Sequence, residues 1–142
     1  MPRPTAIYSA AQVRALDAWE IEKRRVPGFT LMSRAAESAL KILTARWPQA
    51  KRVAVVCGAG NNGGDGYVLA RLARAAGLDA MVLAAAPPDK LAGDARRAQE
   101  EWLAAGGSAH PFAADALSGS DLIVDALLGI GLTGRRGRRR WR

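Results

Sequence analysis

Val53-Ala54-Val55-Val56-Cys57-Gly58-Ala59-Gly60-Asn61-Asn62-Gly63-Gly64-Asp65-Gly66 decides how this chain folds. Five apolar residues run into a segment holding five glycines, two asparagines and one aspartate. An amphipathic segment from Tyr67 to Ala76 follows, with Val68, Leu72, Ala75 and Ala76 on one face and Arg71 and Arg74 on the other. The order is therefore buried strand, glycine loop and helix, which is how α/β proteins offer backbone N–H groups and a helix N-terminus to an anionic ligand.

Outward from that stretch the pattern repeats. Upstream, Ser9-Ala10-Ala11-Gln12 has the form of a capping box and predicts a helix to about Lys23, with Val13, Leu16 and Trp19 recurring every three residues on a packed side. Pro27-Gly28 breaks it. Thr30 is then placed to cap a second helix, whose Met32, Ala35, Ala36, Ala39, Leu40 and Leu43 keep helical spacing. Its small-residue face, Ala35, Ala36 and Ala39, suits packing on the sheet or a homodimer contact.

Downstream, Asp79 to Ala84 reads as a short buried strand, and Pro87-Pro88-Asp89 precedes a helix carrying Leu91, Ala95, Ala98, Trp102 and Ala105. A weak strand falls near Ala109 to Phe112, and its His110 reads as a surface or edge residue. Asp121 to Asp125 predicts one more buried strand, followed by a loop from Ala126 to Gly134. Strands alternating with helices imply a Rossmann-like parallel sheet with right-handed crossovers and helices on both faces.

Composition bounds the function classes. A chain of 142 residues with 49% hydrophobic and 24% charged residues fits one globular domain. No apolar run is long enough to cross a membrane, and Met1-Pro2-Arg3-Pro4 leads into no signal sequence, so a cytoplasmic address is the expectation. The single cysteine, Cys57, excludes an internal disulfide and a cysteine-rich metal site, and its place in a strand predicts a core residue. The formal charge is +8, but six arginines lie among the last eight residues, leaving +2 for the rest. The high charge thus describes a tail, which reads as solvated or aberrant, with nucleic acid or an acidic membrane surface as the competing partners.

The chemistry sits in two loops. Gly58-Ala59-Gly60-Asn61-Asn62-Gly63 satisfies the dinucleotide pattern in a strand-to-helix context. The acidic residue that such sites place at the end of the second strand is missing, since that strand ends Val82-Leu83-Ala84-Ala85-Ala86. A standard nicotinamide dehydrogenase is disfavoured. Asn61, Asn62 and Asp65 add side-chain oxygens that suit a hard cation or ribose hydroxyls. Loops at the carboxyl ends of parallel strands converge, which predicts Asp125 near Asn62 and makes the pair a candidate metal site.

Taken together, Gly58 to Gly66 and Val124-Asp125-Ala126-Leu127-Leu128-Gly129-Ile130-Gly131-Leu132 resemble the NAD(P)H-hydrate epimerases, the YjeF N-terminal domain family. Leu31-Met32-Ser33-Arg34-Ala35-Ala36 resembles that family's helix motif ahead of the first strand. The resemblance implies an isomerase that interconverts the R and S forms of hydrated NADH and NADPH (NADHX and NADPHX). It also implies a functional partner or fused domain, the ADP- or ATP-dependent NAD(P)H-hydrate dehydratase.

By position, Asn61, Asn62, Gly63, Gly64 and Asp65 would bind the hydrated dinucleotide, as would Gly129, Ile130, Gly131, Leu132, Thr133, Gly134 and Arg135. Asn62 and Asp125 would hold a potassium ion. No proton-transferring residue is identified; Asp125 is the nearest candidate, although a bound cation would lower its pKa and make it a poor base. The family continues into an Asp-x-Pro-Ser-Gly loop that this sequence does not contain, so residues 1–134 are expected to form an incomplete domain. Residues 135–142 read as a disordered Arg-rich tail, from a truncated or frame-shifted ending. The competing function is a non-catalytic scaffold or RNA-associated interaction module built on the same fold.

Overall fold

A computed structural model describes residues 6–130. Four strands, β1 (Arg52–Cys57), β2 (Asp79–Ala84), β3 (Ala109–Pro111) and β4 (Leu122–Ala126), form one sheet in the order β3-β2-β1-β4. Every pairing is parallel. The helices are α1 (Ala10–Glu22), α2 (Gly28–Arg46), α3 (Asn61–Ala75) and α4 (Gly93–Ala104). The expected Rossmann-like parallel α/β sheet is present, with α2, α3 and α4 packed together on one of its faces among the described residues, and the break in strand order falls between β1 and β4.

Alternation along the strands sorts the residues by face. Val53, Val55 and Cys57 of β1 share a buried cluster with Val82 of β2 and Ala126 of β4. Onto it pack Met32 and Ala36 of α2, Tyr67, Val68 and Ala70 of α3, and Ala98 and Trp102 of α4. Trp102 is 1% exposed and its indole N–H donates to Ser108 O at 3.0 Å. Tyr67 is likewise buried, with its hydroxyl accepting from Gln99 Nε2 at 3.3 Å, so each of these two aromatic polar groups has a partner.

β4 is pinned beside β1 from the end of the sheet remote from the glycine loop. The Asp121 carboxylate accepts from the Lys51 and Arg52 backbone N–H groups, each at 2.8 Å. Those two donors, with the nearby cations, hold Asp121 below the usual carboxylate range.

Two helix starts and the burial of α1 differ from the sequence expectation. α3 starts at Asn61, not Tyr67, so Gly63, Gly64, Asp65 and Gly66 are helical and the loop is only Gly58–Gly60. Glycine disfavours helices, but packing overrides that preference here. A Cβ on Gly66 would lie 2.7 Å from Ala126 Cβ and 2.8 Å from Cys57 Sγ. α2 starts at Gly28 after Pro27 rather than at a Thr30 cap; within it Ala36 is buried while Ala35 and Ala39 are exposed. α1 keeps its Ser9/Gln12 capping box but buries no residue, with Leu16 and Trp19 about half exposed. His110 is exposed on the edge strand, as expected.

Candidate active site

The carboxyl ends of β1 and β4 open on a cleft of 850 Å³. In open parallel sheets this break in strand order is where the two following loops diverge and leave a crevice. One wall is the Ala59–Gly60 loop with Asn61, Asn62 and Asp65 of α3. The facing wall is Leu127, Leu128, Gly129 and Ile130, apolar and partly exposed. Val13, Arg14 and Asp17 of α1 close a third side.

The glycines let these walls meet. A Cβ on Gly63 would collide with the Gly58 carbonyl, and one on Gly58 with the Leu127 carbonyl, so only hydrogen fits at either position. Gly58 N–H also donates to Ala126 O at 3.0 Å. Gly64 packs on Met32 and Ala95, where a Cβ would lie 2.6 Å from the Met32 methyl and 3.0 Å from Ala95 Cα. Gly63 and Gly64 are therefore buried and do not line the cleft.

Asn62 lies against the opposite loop: a Cβ on Gly129 would be 3.4 Å from its Oδ1. Asp125 does not line the cleft; its Oδ1 accepts from Leu127 N–H at 3.0 Å, holding the start of the facing wall. Arg14 Nη1 donates to Ile130 O at 2.7 Å and so ties α1 to the far end of that wall.

Asp65 carries the largest electrostatic perturbation in the cleft. Burial, and secondarily the Asp17 carboxylate, push it up to about 6. Both aspartates also border a neighbouring cavity of 250 Å³ that is shared with Met32 of α2 and Asp94 of α4. Cys57, by contrast, is a core thiol pushed up to about 12 by burial, with no access to the cleft.

Of the residues singled out from sequence, Asn61, Asn62, Asp65, Gly129 and Ile130 come together in the cleft. Gly131, Leu132, Thr133, Gly134 and Arg135, with the Arg-rich tail, lie outside the described residues. Sequence reasoning missed Arg14 and Asp17. The spacing of Val13, Leu16 and Trp19 drew attention to the apolar residues of α1, and nothing local shows which turn of that helix faces a loop more than forty residues away.

A parallel sheet with a polar, carboxylate-bearing cleft at its break in strand order defines a Rossmann-like α/β domain. Residues 28–139 match the model of the YjeF-related protein N-terminus family, and the chain belongs to that family. It is 44% identical over 130 residues to the bifunctional NAD(P)H-hydrate repair enzyme Nnr of Coxiella burnetii, covering 92% of this chain and 26% of that protein. It is 38% identical over 136 residues to the NAD(P)H-hydrate epimerase of Rhodobacter capsulatus, covering 91% and 64%. With the Bordetella pertussis Tohama I epimerase the figures are 43% over 129 residues, 89% and 53%. The chain thus spans between a quarter and just under two thirds of the length of these relatives. The crystal structure of yeast ynu0 superposes with a TM-score of 0.79 at 19% identity, covering 94% of this chain and 61% of that one, which shows the shared fold.

Proposed function

We propose that this chain carries an NAD(P)H-hydrate epimerase domain, an isomerase acting on NADHX and NADPHX. The observation that carries the reading is convergence: the glycine-asparagine segment and the segment after β4, far apart in sequence, form the two walls of one cleft. The names of the Rhodobacter and Bordetella relatives supply the reaction. Polar groups on α3 suit ribose hydroxyls and amide groups, and the apolar Leu127–Ile130 wall suits a flat ring. In this reading the product feeds a dehydratase that accepts the S form, acting as a separate partner or a fused domain.

Asn62, which lines the cleft, and Asp125, on β4 outside that lining, carry the donor chemistry that potassium takes. Asn62 Oδ1 and Asp125 Oδ2 are hard oxygen donors with no hydrogen-bond partner among the described residues. A cation there would hold the Leu127–Ile130 wall against α3 and offset the charge of an anionic dinucleotide. Asn62→Ala and Asp125→Ala are expected to weaken potassium-dependent thermal stabilisation as well as activity; an unchanged potassium response in both variants refutes the assignment.

The function itself is tested by mixing the chain with R-NADHX, potassium and an S-specific dehydratase. Faster consumption of the R form is expected, and no acceleration over the dehydratase alone refutes the reading.

A further inference from the structure

We propose that Asp65 is the proton-transferring residue of the epimerisation, and that Asp17, facing it from α1, is the positioning residue that governs when Asp65 holds its proton. The proposal rests on the epimerase reading and adds the group that performs the chemistry.

The reaction dictates what is needed. Hydrating the ring double bond of a dihydronicotinamide, an enamine, places the hydroxyl on the carbon next to the ring nitrogen. Inverting that carbon starts when an acid protonates the hydroxyl. The C–O bond breaks, water leaves, and the nitrogen lone pair forms a C=N bond. Water then adds to the opposite face, the C–O bond re-forms, the electron pair returns to nitrogen, and the surplus proton goes back to the base. Nothing is oxidised or reduced, and one group serves first as acid and then as base. Such a group works best when it exchanges protons near the working pH.

Among the described residues, the titratable side chains lining the cleft are Arg14, Asp17 and Asp65. An arginine does not release its proton in this range. Asp17 is exposed on α1, whereas Asp65 is half-buried on the second turn of α3 and has no hydrogen bond or ion pair among the described residues. It stands on a rigid base, because the flanking Gly64 and Gly66 pack without space for a methyl group against α2, α4 and the sheet.

The charged groups facing Asp65 are Arg14 and Asp17 from α1 and, across the smaller cavity, Asp94 from α4. Its proton affinity agrees with the role: burial first and Asp17 second bring it to about 6. Asp125, the nearest candidate on sequence, has one oxygen committed to Leu127 N–H and does not border the cleft.

The test uses the full chain with R-NADHX, potassium and excess S-specific dehydratase. Asp65→Asn should lower kcat by at least about 100-fold, the usual size of a general acid–base contribution, with KM changed little. Asp65→Glu should recover part of kcat. Asp17→Asn should move the alkaline limb of the kcat/KM profile, where the acid form of Asp65 is lost, to lower pH, because it removes a like charge. The same downward movement should appear in a carboxyl-carbon NMR titration of Asp65, which needs no turnover. An active parent with an equally active Asp65→Asn overturns the catalytic assignment and leaves the epimerase reading standing; an inactive parent overturns both. An unchanged Asp65 titration in Asp17→Asn overturns the role of Asp17.

Discussion

Replacing Asp65 by asparagine should make the protein more stable at neutral pH, and by an amount that depends on pH. Folded Asp65 holds its proton up to about 6, against an ordinary value of 3.8. Between those values the native state binds more protons than the unfolded chain, so stability is full below the ordinary value and falls as pH rises through the folded one. At roughly 1.4 kcal/mol per pH unit the gap corresponds to about 3 kcal/mol. The carboxyl is only half-buried and shares the cleft with solvent, which reduces this to about 1 kcal/mol. Asp65→Asn is uncharged throughout. It should therefore exceed the parent by about 1 kcal/mol near ~pH 7.5 and lose that advantage towards ~pH 4, in urea unfolding followed by circular dichroism. If the two proteins differ equally at both pH values, or if the parent is the more stable near neutrality, the account of Asp65 as a strained, functional carboxylate fails.

Gly66→Ala places a methyl 2.7 Å from Ala126 Cβ and 2.8 Å from Cys57 Sγ. The overpacking cost of about 1–3 kcal/mol should outweigh a helix-propensity gain of about 1 kcal/mol, so the denaturation midpoint should fall; a rise would refute the packing reading of that glycine. Cys57, buried and pushed up to about 12, should resist a thiol-specific reagent in the native protein and react only on unfolding, and fast labelling under native conditions would contradict its placement. Asp121→Asn should destabilise at neutral pH by weakening the bonds to Lys51 and Arg52. Because Asp121 is held below the ordinary carboxylate range, that loss should shrink as acid protonates the parent's carboxyl, and a pH-independent difference would argue against it.

The sheet was legible because its signals are local. Val53–Cys57 and Leu122–Val124 are apolar runs bounded by polar or glycine-rich segments, and both lie in strands at nearly the predicted positions, although β4 leaves Ile123 and Asp125 exposed rather than buried. The start of α3 was not legible. Glycines at 63, 64 and 66 look like loop by propensity, and only the approach of Gly58, Met32 and Ala126 explains why a helix there requires them. The same cause divides the site. Asn62 and Asp65 announce themselves as polar residues in a glycine-rich segment, whereas Asp17 matters only through where α1 docks, a property of the third dimension. Leu16 and Trp19 were misleading for the same reason: their spacing is helical, but no layer covers them among the described residues.

α1 buries none of its residues, yet it supplies Arg14 and Asp17 to the cleft. A helix held by a capping box and by the Arg14 hydrogen bond to Ile130 O has a small free energy of local opening compared with the sheet beneath it. Its amide hydrogens should exchange with solvent deuterium orders of magnitude sooner than those of β1. Ligand bridging α1 to the opposite wall should slow exchange along Ala10–Glu22 first, making this helix the part of the molecule that registers occupancy.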